Sequence, residues 1–442
     1  MKKTLLAVAA LLFITGLTHG QTNVAPGDGT LSAAIRAASS GAVLVLQSGG
    51  VYTESVDTFF VLGGKEIKIK AADGFTVRPV IKNLTVKTGT LGRSNGFLLG
   101  ADDGLELEGI EIDGLEPDTT TYRSMGNAIT FIAGTNYTVK YVKLKNCLFK
   151  NFESRAIDGA GDEYTNKNVK LESLLMENCL FTNADNVFNF KDFLLGNVEA
   201  KNCTFWNVRS GRVFRIMMPV NPTVLIDHCT FDDVGVADRC IDTKDNTAAW
   251  TIKNSSFSNS KGTPSGEIVR IYGSNTVIKN CNFFNTGTTN IKLNSGATSA
   301  SITTDDPKYT NAANGDFTLA TDSPLLGKGD DGKAIGDLRW DPTATSISPE
   351  SNQIPTGFTL YQNYPNPFNP ATRIRFDLPE SGFASLKVFN LLGQEVAELV
   401  SEELVAGSYN VDFDASNLTS GIYLYQLKSN GFTKTYKMML MK

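Results

Sequence analysis

Six segments in the middle of the chain repeat one short pattern, and that repeat restricts the fold more than any other feature. They are Asn146-Cys-Leu-Phe-Lys-Asn151, Asn178-Cys-Leu-Phe-Thr-Asn183, Asn202-Cys-Thr-Phe-Trp-Asn207, His228-Cys-Thr-Phe-Asp-Asp233, Asn254-Ser-Ser-Phe-Ser-Asn259 and Asn280-Cys-Asn-Phe-Phe-Asn285. Successive copies begin 32, 24, 26, 26 and 26 residues apart. Cys or Ser stands two residues before each Phe, and Asn or Asp two after it. Leu107-Glu-Gly-Ile-Glu-Ile-Asp-Gly114 is a degenerate earlier copy. A chain with such a period folds as stacked equivalent units, each burying its apolar face on the next.

The units are built from strands. Each copy follows a short alternating run such as Val142-Lys-Leu-Lys, Val224-Leu-Ile-Asp or Trp250-Thr-Ile-Lys, the signature of a strand with one buried face. Gly and Asn punctuate the gaps, and no helical periodicity intervenes. A helix-free repeat of about 25 residues fits one coil of a right-handed parallel β-helix. Equivalent residues then stack at about 4.8 Å. Cys147, Cys179, Cys203, Cys229, Ser255 and Cys281 form one inward ladder, beside a second of Phe149, Phe181, Phe205, Phe231, Phe257 and Phe283. The cysteines read as small buried filler rather than a disulfide framework or metal site. Asn residues are expected at a bend, their amides bonding backbone of the neighbouring coil. Thr30–Ser39 reads as a short amphipathic helix that plugs the first coil, and Asn314–Leu338 as a Gly/Asp-rich closing segment.

Gly29-Thr-Leu-Ser-Ala-Ala-Ile-Arg36, Gly41-Ala-Val-Leu-Val-Leu46 and Gly50-Val-Tyr-Thr-Glu54 resemble the N-terminal cap of pectate-lyase-like β-helices, nearest to the alginate lyase and chondroitinase B group. Asp322-Ser-Pro-Leu-Leu-Gly327 and Ile335-Gly-Asp-Leu-Arg339 are similar to closing segments of exported bacterial β-helix proteins. The resemblance covers residues 21–340 and implies a carbohydrate-facing groove along one parallel sheet. It does not extend to that group's calcium-binding acidic cluster or its catalytic Lys/Arg motif.

Apolar-X-apolar cores after each Phe motif align an outward column of Asp158, Asn189, Arg215, Asp242, Arg270 and Lys292. Two residues further lie Lys191, Met217, Lys244, Tyr272 and Asn294. Asp158 and Asp242 are three coils apart, about 14 Å at the sheet spacing, too far for a glycosidase carboxylate pair. A uronate lyase instead neutralises a carboxylate and removes the adjacent proton. In that reading Lys244 is the base, Arg270 supports the charge and Tyr272 protonates the leaving oxygen. Asn189, Lys191, Arg215, Asp242 and Lys292 hold the substrate. Stacked ion pairs on a solvated sheet are the simpler reading of the same residues. No cofactor is expected, save Ca²⁺ if the protein is a lyase.

Composition removes other classes. The formal charge of −5 without a basic tract argues against nucleic acid. With two histidines, one of them His19, neither a Ser-His-Asp triad nor a multi-histidine metal site is expected. Lys2 and Lys3, the apolar run Leu5–Leu17 and Thr18-His19-Gly20 have the layout of a secretory signal peptide cut before Gln21. No stretch reads as a transmembrane helix.

After Trp340 the repeat stops. A polar, Pro-punctuated linker (341–353) leads to short strands expected at Phe358–Tyr361, Arg373–Leu378, Ser385–Asn390, Glu395–Val400, Ser408–Phe413, Ile422–Lys428 and Thr433–Leu440, the pattern of an Ig-like β-sandwich. Tyr364-Pro-Asn-Pro-Phe-Asn-Pro370, Val388-Phe-Asn-Leu-Leu-Gly393, Ala406-Gly-Ser-Tyr409 and Ser420-Gly-Ile-Tyr423 resemble, in order and spacing, the type A sorting domain of type IX secretion. That resemblance implies recognition of 354–442 by the secretion machinery and a sortase, and a secreted or outer-surface location. The division expected is thus a signal peptide (1–20), a β-helix (21–340), a linker (341–353) and a sorting domain (354–442). Two functions stay open: a carbohydrate-active protein, in its sharpest form a lyase acting by β-elimination on acidic polysaccharide, and a non-catalytic glycan-binding or adhesion protein.

Overall fold

The computed structural model describes residues 21–441 except 56–58, 74, 76, 84–93, 115–124, 135, 153, 160–168, 191–192, 218–222, 236–237, 244–248, 261–265, 274, 288–289, 294–295, 343–347, 352–356, 380–381 and 405–406. The signal-peptide reading lies outside the described residues.

The repeat winds into a parallel β-helix, and its ladders are literal. The six Phe rings of the motif stack face to face, with successive centroids 4.9, 5.2, 4.9, 4.5 and 4.7 Å apart. That matches the inter-strand spacing, as one ring per coil requires. All six cysteines are buried and free. Each motif thiol packs inward and reaches a carbonyl two residues back, as Cys147 does to Lys145 (3.2 Å) and Cys281 to Lys279 (3.3 Å). Burial pushes the Cys240 thiol well up and that of Cys281 to about 12. Ser255 replaces a thiol at no loss of polar satisfaction, since its hydroxyl donates to Lys253 O (2.7 Å) and accepts from Cys229 N (3.1 Å).

Both Asn positions of the motif are corners. Asn146, Asn178, Asn202, His228, Asn254 and Asn280 have φ between 48 and 54°, and Asn151, Asn183, Asn207, Asp233, Asn259 and Asn285 between 50 and 65°. This is the left-handed region that Asn tolerates best among residues bearing a Cβ. The later column does not bond neighbouring backbone as expected. Its amides bond one another: Asn183 donates to Asn151 (3.2 Å), Asn207 to Asn183 (2.6 Å) and Asn285 to Asn259 (2.7 Å). Stacked amides carry a donor and an acceptor each, so a column satisfies itself without help from the main chain.

The N-terminal plug forms as Thr30–Ala37, with Leu31 and Ile35 fully buried on the core. Lys65 Nζ donates to the carbonyls of Ile35 and Arg36 at the helix end (both 3.0 Å), where a cation suits the dipole.

The Gly/Asp-rich closing segment follows the last coil. Residues 305–341 run back along the side of the helix as a strap. Tyr309 donates to Ser256 (3.0 Å), Asp337 N to Thr230 (2.9 Å), Thr204 to Asp337 (2.7 Å), and Arg339 to the Asn178 and Cys179 carbonyls (2.9 and 3.0 Å). The strap therefore crosses four coils. Thr204, Thr230 and Ser256 point outward yet are buried, because the strap covers them. Phe317 fills the interface, its ring 6.1 Å from Trp206, 5.2 Å from Tyr309 and 5.7 Å from Trp340.

The C-terminal unit is a sandwich of two four-stranded antiparallel sheets. One strand more forms than the pattern indicated: Ser348–Ser351, inside the expected linker, pairs with Gly407–Asp414. Ile374, Phe376, Leu378, Val411, Leu386, Val388 and Leu427 fill its core. The proline-rich turn is pinned to that core by Tyr425, whose hydroxyl accepts from Asn363 N and donates to Tyr361 O (both 2.8 Å).

Candidate functional site

One side of the β-helix is a nine-stranded parallel sheet running from Phe60–Val61 to Ile291–Leu293. Its strands carry a polar-apolar-apolar-polar quartet: Arg155-Ala-Ile-Asp158, Asn186-Val-Phe-Asn189, Arg212-Val-Phe-Arg215, Arg239-Cys-Ile-Asp242 and Glu267-Ile-Val-Arg270. Both middle residues turn inward and are buried. Each coil thus presents two polar residues to the same outer face.

The register stacks the second members in one column. Thr130 pairs with Asp158, then Asn189, Arg215, Asp242, Arg270 and Lys292 follow in step. Although they point away from the core, Asp158, Asn189 and Asp242 are only 4–6% exposed. The low exposure of Asp158 and Asp242 strengthens the charge interactions they make.

Most charges on the face are matched. Arg270 holds Asp242 through Nε (2.7 Å) and Nη2 (2.6 Å), both on Oδ1. Arg155 donates to Asp158 (2.8 Å), Arg239 Nε to Glu267 (2.7 Å), and Lys292 pairs with Glu267 (3.1 Å). Arg212 pairs with Asp238. Arg215 has no such partner. No carboxylate or carbonyl accepts from its guanidinium among the described residues, and its buried Nε is unpartnered. Burial, with Arg212 nearby, pulls its pKa down. Asn189 beside it leaves Oδ1 unpartnered as well. Six of the eleven buried side-chain nitrogens and oxygens that lack a partner among the described residues lie on this face: those of Asn127, Arg155, Asn186, Asn189, Arg212 and Arg215. Native interiors rarely leave such groups unmet unless something else meets them.

Of the residues read as a site, Asn189, Arg215, Asp242, Arg270 and Lys292 therefore do share one column. Tyr272 is adjacent, its N–H bonded to Thr243 Oγ1 (3.1 Å) and its ring 5.6 Å from the Arg270 guanidinium. Lys191 and Lys244 lie outside the described residues. Arg270 is not an open cation, because Asp242 already takes it. The stacked ion-pair reading holds for Asp242 and Arg270 but stops at Arg215. Arg155, Arg212, Arg239 and Glu267 escaped the strict alternation used to find outward positions, since two consecutive inward residues break that alternation. The quartets are the signal that identifies them.

The acidic side chains of the described residues are not gathered. No group of three or more His, Cys, Asp and Glu side chains gathers among them, and Asp158, Asp242 and Glu267 are each held by an Arg.

Residues 362–441 match the secretion system C-terminal sorting domain family. The C-terminal sandwich is a secretion sorting domain. It sends the chain through type IX secretion to the cell surface or the extracellular space, and implies contact with that machinery. No helix among the described residues is long and apolar enough to cross a membrane. Residues 224–340, the last coils and the strap, match a domain of unknown function, DUF5123. Among solved structures, the PL6 family alginate lyase AlyGC is similar at 17% identity, with a TM-score of 0.41 over 64% of this chain and 39% of that one. A point mutant of the same enzyme aligns with a TM-score of 0.42 over the same shares. No curated protein matches.

Proposed function

We propose that the β-helix works outside the cell as a receptor for acidic polysaccharide, lying along the nine-stranded face with a uronate carboxylate on Arg215. The observation that carries this is the half-buried Arg215 guanidinium without a carboxylate among the described residues. A buried cation left unpaired is costly, and a planar, bidentate carboxylate relieves it best. Asn189 Oδ1 is free to accept from a sugar hydroxyl beside it, while Lys292, at the exposed end of the column, is paired with Glu267. The wider carbohydrate-active reading rests on this face; lyase chemistry would further require Lys244 as base.

Isothermal titration with oligogalacturonate and oligomannuronate, against neutral oligosaccharides of equal length, tests the proposal. Acidic chains should bind, and Arg215→Ala should weaken them by about tenfold or more, as for a charge-assisted pair of 1.5–3 kcal/mol. Equal binding of neutral chains, or an unaffected Arg215→Ala variant, would sink it. Absorbance of unsaturated uronates in the same samples separates the classes. A signal abolished by Lys244→Ala makes the protein a lyase; silence leaves a binder or adhesin. Sortase removal of 354–442 on export would leave the β-helix as the working part, which the mass of the surface form checks.

A further inference from the structure

The open polar atoms of the nine-stranded face are not spread along it. All six belong to four successive coils: Asn127 Oδ1, Arg155 Nε, the Oδ1 atoms of Asn186 and Asn189, and the Nε atoms of Arg212 and Arg215. Register sets them in line. Asn127 pairs with Arg155, Arg155 with Asn186, and Asn189 with Arg215, while Val187 N donates to Arg212 O (2.9 Å). Asn186 and Asn189 are 8% and 4% exposed. Their amide nitrogens donate to Asp185 (3.1 Å) and Asp158 (3.5 Å), which fixes the oxygens as the open atoms. Beyond the Arg215 coil the face closes on itself. Arg239 and Lys292 both hold Glu267, and Arg270 holds Asp242. None of these later residues leaves a buried side-chain atom unpartnered among the described residues.

The open atoms also have an order. Coil by coil they read acceptor (Asn127), donor (Arg155), two acceptors (Asn186, Asn189) and two donors (Arg212, Arg215). Coils stack at about 4.8 Å, so the first and last of the four lie about 14 Å apart. A pyranose ring advances an extended chain by much the same distance per residue. Hydroxyls both donate and accept, so one sugar per coil can meet every open atom. Carboxylates suit the arginine coils. The asparagine coils need hydroxyl donors, because an amide oxygen can only accept.

Resting on the reading of Arg215 as a uronate subsite, we infer that the face holds four consecutive sugars between Asn127 and Arg215, and that the asparagines select for unsubstituted hydroxyls. The ligand class is an acidic oligosaccharide of at least four residues. Counted from the Arg215 coil, its second and fourth sugars keep their hydroxyls free. Esterifying those hydroxyls removes the protons that Asn186, Asn189 and Asn127 accept. Asn186 and Asn127 are thus specificity residues that the outward column alone does not contain.

The test is titration calorimetry of the full chain with oligomannuronates of two to six residues. Affinity should rise with each added sugar up to four and level there. Asn186→Leu should weaken every length by about fivefold, the worth of one neutral hydrogen bond. Asn127→Leu should weaken the tetramer by a similar factor and leave the trimer unchanged. Neither variant should lower the melting temperature, since each removes a buried acceptor that the free protein leaves unmet; a merely structural amide would lower it. An O-acetylated tetramer should bind more weakly than the plain one, by a margin that narrows in Asn186→Leu. Affinity that levels at two residues or still climbs at six overturns the inference, as do both variants binding like the wild type. Binding that still depends on Arg215 in those samples leaves the receptor reading standing; loss of all acidic binding takes both down.

Discussion

Phe231 offers the sharpest test of the stacked core. Its ring is fully buried and lies 4.9 Å from Phe205 and 4.5 Å from Phe257, at interplanar angles of 14° and 1°. Phe231→Ala removes the ring and leaves a cavity that neighbouring coils, held in register by their ladders, cannot close. Truncation of a buried Phe costs about 3–5 kcal/mol, and the two stacked contacts add roughly one more. For a β-helix of roughly 320 residues, an unfolding entropy of about 2.1 cal/mol/K per residue turns about 5 kcal/mol into a fall of about 7 °C. Calorimetry of the full chain reads this directly, with the transition of the sandwich, which has its own core, as an internal standard. A fall below about 2 °C, or an equal shift of both transitions, would refute the reasoning. The first outcome would mean that the rings do not stack as a continuous column.

Other consequences follow from single groups. Arg215→Met should leave stability unchanged or raise it by about 1 kcal/mol while removing uronate binding, because an unpaired half-buried charge is lost; thermal melts and titration check both halves. The Tyr309 hydroxyl is enclosed beneath the strap, and burial raises its pKa to about 12. Its stabilising share is complete below pH 10, the usual tyrosine value, and is lost as pH rises through 12, a drop of about 2 kcal/mol that should vanish in Tyr309→Phe denaturation curves. The six buried thiols should stay silent to a thiol reagent at pH 8 in the native protein and all react in denaturant; intact mass under oxidising conditions should show no disulfide.

The β-helix was legible because its period is written in residues that all do the same task in each coil. Phe, Cys and corner Asn recur in step, and six copies outweigh any local ambiguity. The outward column from Asp158 to Lys292 could be aligned for the same reason. What pattern could not supply was pairing. Asp242, Arg215 and Arg270 are equivalent positions in sequence, yet only geometry shows that Arg270 closes on Asp242 and leaves Arg215 open. The strap was legible as a segment but not as a path, since its contacts join residues more than 100 positions apart, as Thr204 and Asp337 do. Ser348–Ser351 escaped because a proline and polar neighbours make an edge strand read as linker.

The central claim is that Arg215 receives a carboxylate on the nine-stranded face. A crystal structure of the protein with an oligogalacturonate tests it most directly. The account predicts a chain lying along the Asp158–Lys292 column, with one carboxylate paired to both arms of the Arg215 guanidinium and a hydroxyl on Asn189 Oδ1. An oligosaccharide bound elsewhere, with Arg215 left as it is here, would contradict it.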